Sequence, residues 1–546
     1  MKLLIAILAS TLLSGYVTPT RVMWTQGDIR NEQKLLQPFC GQVAVNEKET
    51  CVFGERASVL LDFGKEIHGG IRITAARRQG KEGVRFRVRF GESVSEAMSD
   101  VASSTATNDH SMRDFEISVP WLGSVEVGNT GFRFVRLDLI QKGMDVPLVA
   151  VEAKSIMRDI PYLGSFRCSD SRLNDIWQTA AYTVHLNMQD YVWDGIKRDR
   201  LVWIGDMHPE VSTILSVFGN QEVVRRSLDF ARDNTPADKW MNDICSYSLW
   251  WLIIQRDQYL YTGDLDYLKQ QHSYASALLR HVISCTEGSR ENYKEGRFID
   301  WPTSRNAKSI HQCLQALTVM ALQAGGEIAT ALSDEGLKAD CEACLDRLKD
   351  YRADKPVTKQ AAAFMVLAGL INPEDGAAVI EAGGANGFAT FTGYYMLEAL
   401  AKAGHYASAE KLASDYWGAM LDLGATSFWE DLDFASAKKA GRIDEFVPEG
   451  RFDIHADGGD YCYKGLRHSF AHGWASGPAP WMQRHILGVV PLEPGFSKVM
   501  VRPNLGDLEW AEGTFPTPSG IIKVFVSKEA DGNITTKVEA PKGVRV

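Results

Sequence analysis

The sequence predicts a multidomain chain in which an all-α (α/α)6 toroid is flanked by N-terminal and C-terminal antiparallel β-sandwich domains. Three observations carry that prediction. Apolar residues alternate with period two over about 57–140, recur at helical spacing from Ser169 to about residue 486, and alternate again after Gly488. A chain of 546 residues holds about three packed units. The expected divisions are a leader over 1–15, a β-sandwich over 25–160, a helical domain over 165–487 and a closing β-domain over 488–546.

Met1-Lys2, the apolar run Leu3 to Leu13 and Ser14-Gly15 read as a signal peptide, too short to span a bilayer. Tyr16 stands where a lipoprotein would need Cys, and no later run reaches about 18 uninterrupted apolar residues. A periplasmic or secreted protein with no membrane span is expected.

In the first β-region, Val84-Arg85-Phe86-Arg87-Val88-Arg89-Phe90 and Phe132 to Leu139 alternate as strands with one buried face, with Gly69-Gly70 and Gly128-Asn129 expected as turns. Ser169-Asp170 is a candidate N-cap for a helix in which Leu173, Ile176, Trp177, Ala180, Ala181 and Val184 share a face. Ten further helical segments follow, at about 208–218, 220–233, 243–262, 264–286, 308–330, 334–351, 358–370, 388–403, 406–421 and 465–486. Eleven helices, with a short twelfth below detection and no strand between them, fit six hairpins in a ring. A superhelical array would give the same number, although no fixed repeat period favours it. Lys498 to Arg502 and Gly520 to Val526 restore the strand pattern.

Composition removes several classes. Apolar residues at 45% and charged residues at 23% exclude disorder and collagen. A net charge of -10 repels phosphate backbones, so no nucleic-acid partner is expected. Nine cysteines are too scattered for a disulfide scaffold. Cys40 and Cys51 are candidates to pair across a short Gly/Asn-containing segment, whereas Cys341 and Cys344 sit in a helical run with no second pair at zinc-site spacing. Neither a Walker loop, G-x-G-x-x-G, H-E-x-x-H nor G-x-S-x-G is present, and no loop carries an ordered calcium-ligand spacing, so no cofactor or metal is expected.

What remains is carboxylates beside aromatics, mostly at helix ends and loops, the equipment for gripping a sugar and moving protons at its glycosidic bond. The segment Trp193 to Asp206 packs Asp194, Asp199, Asp206, Lys197, Arg198, Arg200, Trp193 and Trp203 between two helices. A second loop, Gly424-Ala425-Thr426-Ser427-Phe428-Trp429-Glu430-Asp431, delivers Glu430 directly after two rings. Weaker clusters are Asp300-Trp301 and Ser469-Phe470-Ala471-His472-Gly473-Trp474; Asp243 and Tyr247 share a helix face at a common spacing. Plain alternatives stand beside each: arginines bracing a loop, exposed capping, a structural histidine.

At these residues the chain resembles the bacterial α-L-rhamnosidases of glycoside hydrolase family 78, within the six-hairpin glycosidases. Asp194 through Asp206 is similar to the family's D-C-P-x-R-D-E-R-x-G-W-x-G-D, and Gly424 to Glu430 to its G-A-T-T-x-W-E. His472 to Pro478 resembles a helix start in that group, and Gly495-Phe496 through Pro503, Gly513-Thr514 and Pro516-Thr517-Pro518 its closing β-domain. The resemblance covers about residues 55–530 and implies an (α/α)6 barrel and an inverting glycosidase acting on an oligosaccharide or polysaccharide. It puts Glu430 on the general base and Asp194, Arg198, Trp203 and Asp206 on sugar-holding positions.

One departure outweighs the matches. The family's general acid is the Glu after R-D, and here Arg198-Asp199 is followed by Arg200-Leu201. A guanidinium stays charged and cannot donate the proton. Either Asp199 takes the acid's place, or Asp206 or Glu210 donates from the next turn, or the site binds without cutting. Arg200 beside Lys197 and Arg198 would also suit an acidic neighbouring sugar. The expected catalytic set is Glu430, Asp199 and Asp206, with Asp194, Arg198, Arg200, Trp203, Asp300, Trp301, Trp429 and His472 for substrate. The competing functions are a silent carbohydrate-binding protein and an unsaturated-uronyl hydrolase.

Overall fold

A computed structural model describes residues 12–39, 41, 50–78, 82–101, 113–529 and 531–546, the side chains of 13 and 14 excepted. The chain runs from an antiparallel β-region through a long helical region to a smaller antiparallel sheet. Nine strands form the first region, in the order Ile29–Arg30, Cys51–Phe53, Val146–Arg158, Ser58–Ala75, Gly123–Leu139, Val84–Gly91 and Asp114–Val119, with Leu12–Val17 on Val146–Arg158 and Arg21–Gln26 on Ser58–Ala75. Val84, Phe86 and Val88 face the core while Arg85 faces solvent, as the alternation predicts.

Residues 1–11 of the expected leader, and Cys40 of the expected disulfide, lie outside the described residues; Leu12–Val17 is paired into the sheet. Gly69-Gly70 and Gly128-Asn129 are not turns. They lie inside the two longest strands, at a register shift where Gly69 faces Thr130. A side chain on Gly70 would meet the Gly128 carbonyl oxygen at 2.4 Å, so close backbone approach explains the glycines.

Helices Ser171–Asn187, Met207–Val217, Glu222–Asn234, Cys245–Thr262, Leu265–Ser284, Ala307–Leu332, Glu335–Leu348, Lys359–Leu367, Thr390–Ala403 and Tyr406–Asp422 follow the predicted positions. Pro373–Glu381 is the short helix that the pattern left undetected. Several begin on caps the sequence spells out: Asp170 accepts the Arg172 and Leu173 N–H groups, and Asp264, Asn306, Asp334, Thr358 and Asn372 cap in the same way. Helix Ser171–Asn187 packs on Tyr406–Asp422, where Arg172 grips Asp422 at 2.8 and 2.6 Å. Cys341 and Cys344 are buried and unlinked on helix Glu335–Leu348.

Three expectations fail locally. A two-stranded hairpin, Thr286–Glu287 with Arg290–Glu291, interrupts the helices. The segment 465–486 is not one helix: 473–476 is a 3-10 turn, Pro478–Trp481 a short α-turn and Met482–Ile486 a wide turn, because Gly473, Gly477, Pro478 and Pro480 break the ladder. Ser165–Cys168, assigned to the helical domain, instead pairs with Trp510–Thr517 and edges the closing sheet, which continues through Gly520–Lys528 and Ile534–Glu539. Among the described residues no helix is long and apolar enough to cross a membrane.

The N-terminal region docks onto the helical region at the loop carrying Glu430. Arg133, paired with Asp62 at 2.8 and 3.0 Å, donates to the Gly424 carbonyl at 3.0 Å, and the Glu66 N–H donates to the Thr426 hydroxyl at 2.9 Å.

Candidate active site

Three stretches distant in sequence lie side by side. The segment 469–472 is not helical; it takes the Glu430 N–H on the Ser469 carbonyl at 2.9 Å, and its His472 N–H donates to the Phe428 carbonyl at 2.9 Å. On its other side, Gly195 bridges His472 and the Gly473 N–H donates to the Asp194 carbonyl at 2.8 Å. A helix over 465–472 would leave these backbone groups unavailable. Glycine is required on both sides: a Cβ on Gly473 would meet Glu210 Oε1 at 1.7 Å, and one on Gly195 the Arg198 carbonyl oxygen at 2.5 Å.

The result is a pocket of about 280 Å³, small enough to fit one sugar ring more readily than a chain. Asp194, Arg198, Asp199, Trp203, Asp206, Trp301, Glu430 and His472 of the expected residues line it. Ile244, Tyr247, Phe298, Tyr463 and Trp474 complete the wall. Trp301 stands edge-on between Phe298 and Tyr463, at centroid distances of 5.1 and 5.2 Å, and Trp203 meets Tyr247 edge-on at 6.0 Å.

Asp300, Trp429 and Arg200 are not in the lining. Asp300 is consumed by its own turn, accepting from Thr303 N–H at 3.0 Å, the Thr303 hydroxyl at 2.5 Å and the Thr392 hydroxyl at 2.7 Å. Trp429 is buried with its face stacked on Phe470 at 4.2 Å. Arg200 donates to the Asn129 carbonyl of the N-terminal sheet at 2.8 Å. The three adjacent cations therefore do not gather to meet an acidic sugar: Lys197 is sunk against Glu92 at 3.0 Å, Arg198 is paired with Glu430, and Arg200 faces away.

Glu430 is the best-held carboxyl of the pocket. Its Oε2 pairs with the Arg198 guanidinium and receives the Ser469 N–H at 3.4 Å, while Trp474 donates to its backbone carbonyl at 2.6 Å. Arg198 is itself aimed by donating to the Arg467 carbonyl at 2.6 Å and by lying 4.3 Å over the Tyr463 ring. Burial would raise the Glu430 pKa, but Arg198 and then His472 and His468 outweigh it and hold it down at about 2.

Asp206 stands in the opposite condition. Burial raises its pKa, and hydrogen bonds from His472 at 3.1 Å and Tyr247 at 3.2 Å only partly counter that. His472 is raised as well; burial disfavours its charge, but Asp206 and Glu430 outweigh burial. The two form a hydrogen-bonded acid–base pair in the pocket wall. Asp194 is raised to about 6 by burial, and its carboxylate staples its own loop by accepting the Asp199 and Leu201 N–H groups, both at 2.9 Å. Asp199 lies 3.5 Å from the Arg198 guanidinium. Glu210 is wholly buried behind the pocket, neither oxygen has a hydrogen-bond partner, and burial pushes its pKa well up.

Sequence reasoning missed Tyr463 and His468. Both lie in the irregular stretch before Ser469, where no periodicity marks an inward side chain. As for metals, Glu92, Glu96 and His455 place one donor atom each within 4.8 Å of one another.

Residues 161–362 match the bacterial alpha-L-rhamnosidase 6 hairpin glycosidase domain, and residues 488–546 the bacterial alpha-L-rhamnosidase C-terminal domain. An alpha-L-rhamnosidase of Alteromonas sp. (strain LOR) is 24% identical over 558 residues, covering 92% of this chain and 56% of its own. The solved family 78 rhamnosidase of Bacillus sp. GL1 superposes with a TM-score of 0.72 at 21% identity, over 94% of this chain and 54% of that one. The rhamnose-bound rhamnosidase of Klebsiella oxytoca gives 0.71 at 19% identity, over 87% of this chain and 96% of that one. The chain thus spans about half the length of the curated relative and of the Bacillus structure.

Proposed function

From a chain that carries the six-hairpin and C-terminal domains of the bacterial α-L-rhamnosidases, we propose an exo-acting glycoside hydrolase that removes terminal α-L-rhamnosyl or related deoxy-sugar units from plant-type polysaccharide or glycoconjugate. The helices are read as an (α/α)6 ring closed by the packing of Ser171–Asn187 on Tyr406–Asp422, between N-terminal and C-terminal β-sandwiches. Export to the periplasm or medium belongs to the same proposal and rests on the leader pattern of Leu3 to Leu13.

The observation that carries the reading is one pocket with two carboxyls driven apart: Glu430 ionised at about 2, Asp206 raised by burial. Glu430 takes a proton from water as its oxygen attacks the anomeric carbon. The glycosidic C–O bond breaks on the opposite face, and the departing oxygen takes a proton from the Asp206–His472 pair. The products are an inverted free sugar and the protonated aglycone, with no net change in protons. Asp206 is preferred to Asp199 as the donor because Asp206 is buried in the pocket wall and hydrogen-bonded to His472 and Tyr247, whereas Asp199 is engaged by the Arg198 guanidinium at 3.5 Å.

A second reading has one observation in its favour. The residue after Asp199 is Arg200 and no Glu follows, so the site could bind sugar without cutting it. Aryl α-L-rhamnosides decide between them, because a low-pKa phenol leaves without a proton. An enzyme releases the phenol and a binding protein does not, and the proton NMR signal of the first-formed anomer reports inversion. Failure of the wild-type protein to release phenol during prolonged incubation would sink the hydrolase.

A further inference from the structure

Behind the pocket, the ammonium of Lys197 is enclosed by the N-terminal region and the segment that backs Glu430. Its Nζ forms an ion pair with Glu92 Oε2 at 3.0 Å and donates to the Leu466 carbonyl at 3.1 Å, the His468 carbonyl at 2.8 Å and Glu96 Oε2 at 3.4 Å. The His455 ring lies 3.3 Å away. Lysine and both glutamates are almost wholly inaccessible, with side-chain exposures of 4%, 0% and 0%.

Each neighbour is tied in turn. Glu92 accepts the Phe470 N–H at 2.8 Å, Glu96 pairs with Arg113 at 2.6 Å, and His455 bonds the Ser93 hydroxyl at 2.6 Å and the His468 carbonyl at 3.0 Å. Two successive side chains of the first loop thus take three successive carbonyl oxygens: Lys197 holds Leu466 and His468, and Arg198 holds Arg467. The next residue, Ser469, receives the Glu430 backbone N–H and donates to its carboxylate.

We infer that Lys197 is a positioning residue, a tethered internal cation that uses Glu92 and Glu96 of the N-terminal region to fix the carbonyl track 466–468 and through it the Arg198–Glu430 contact. The inference rests on the hydrolase reading for its kinetic consequence. The cradle of two carboxylates, an imidazole and two carbonyl oxygens is what a small cation would occupy if the lysine chain did not supply one.

The test separates positioning from bulk stability. Lys197→Met alone leaves the buried Glu92 carboxylate uncompensated, while Glu96 keeps Arg113, and can fail to fold. The double variant Glu92→Gln/Lys197→Met removes that charge and is expected to fold, with a cooperative melt. If Lys197 positions the site, this folded double variant shows kcat on an aryl α-L-rhamnoside down by about tenfold or more, KM within about threefold, and a displaced acid limb of the pH profile. Lys197→Ala is the second probe, with methylammonium or Mn²⁺ added alone at millimolar concentration; recovery of activity and a rise in melting temperature are expected. A folded double variant with wild-type kcat and pH profile overturns the inference, as does a Lys197→Ala protein whose melting temperature neither cation moves. A crystal structure of the double variant gives a readout independent of turnover, since the Arg198–Glu430 contact is expected to open. If the wild-type protein releases no phenol, the hydrolase reading fails, while the crystal structure and cation titration still judge the role of Lys197.

Discussion

Replacing Arg198 with glutamine removes the guanidinium but keeps a polar side chain of similar reach. In the native site Glu430 lies at about 2 against an ordinary 4.5. At about 1.4 kcal/mol per tenfold, that gap is about 3 kcal/mol of preference for the carboxylate. Burial, the largest influence, remains in the variant and acts upward. The Glu430 of Arg198→Gln is therefore expected to titrate well above about 2, with His472, His468 and the Ser469 N–H left to hold it down. At pH 4 the native base is about 99% ionised, and the variant's is protonated to a larger extent. The assay is kcat/KM from pH 3 to 8 with an aryl α-L-rhamnoside, whose departure asks little of the acid. The native profile should stay flat toward its acid end, and the variant's should fall at a higher pH than the native's. The sign for stability follows from the same shift. A depressed carboxyl contributes stability that is present above its unfolded value and lost as pH falls toward the folded one. The variant should thus lose more melting temperature at pH 7 than at pH 3.5. Matching acid limbs in native and variant proteins would refute the assignment of Arg198 as the group that sets the charge of Glu430.

Further expectations follow from the same geometry. Glu430→Gln should lower turnover at least about a hundredfold with an unchanged melt, measured on both aryl and natural rhamnosides; full activity would remove Glu430 from the base role. Asp206→Asn should spare aryl rhamnosides with good leaving groups far more than alkyl rhamnosides, and equal losses on both would reject Asp206 as donor. Arg133→Met should destabilise the protein by about 1–3 kcal/mol in denaturant unfolding, because buried Asp62 loses its two-bond partner and keeps only the more exposed Arg21 at 3.0 Å. Glu410, raised to about 8 by burial against the closing domain, disfavours the folded state as pH rises from its unfolded value through 8. Glu410→Gln should flatten the loss of melting temperature between pH 6 and 9, and an unflattened curve would contradict that burial.

Much of this molecule is legible in its sequence because local periodicity and burial coincide. The Val84 to Phe90 alternation marks a strand, and Asp170 marks the helix that follows. The pocket was legible in the same way where charged and aromatic residues cluster in the chain: eight of the eleven named residues line it. What escaped depends on partners elsewhere. Asp300 and Trp429 carry the same residue types as the lining, and only the tertiary contacts to Thr392 and Phe470 turn them inward to structural duty. Lys197 reads as one of three clustered cations until Glu92 and Glu96, a hundred residues earlier, are brought against it. Gly69-Gly70 reads as a turn because glycine serves both turns and close strand approach, and the sequence does not distinguish them.

The short strand Ser165–Cys168 has a temporal consequence. Its hydroxyl Ser165 bonds Thr514, 349 positions later, so the segment emerges from the ribosome long before anything exists for it to pair with. The helices must then be synthesised while their entry point hangs open, and the final knot is tied only when the tail arrives. A chain interrupted near its end would lose more than a small terminal lobe: it would leave the doorway of the helical region with a bare edge, inviting aggregation and proteolysis at a place far from the break.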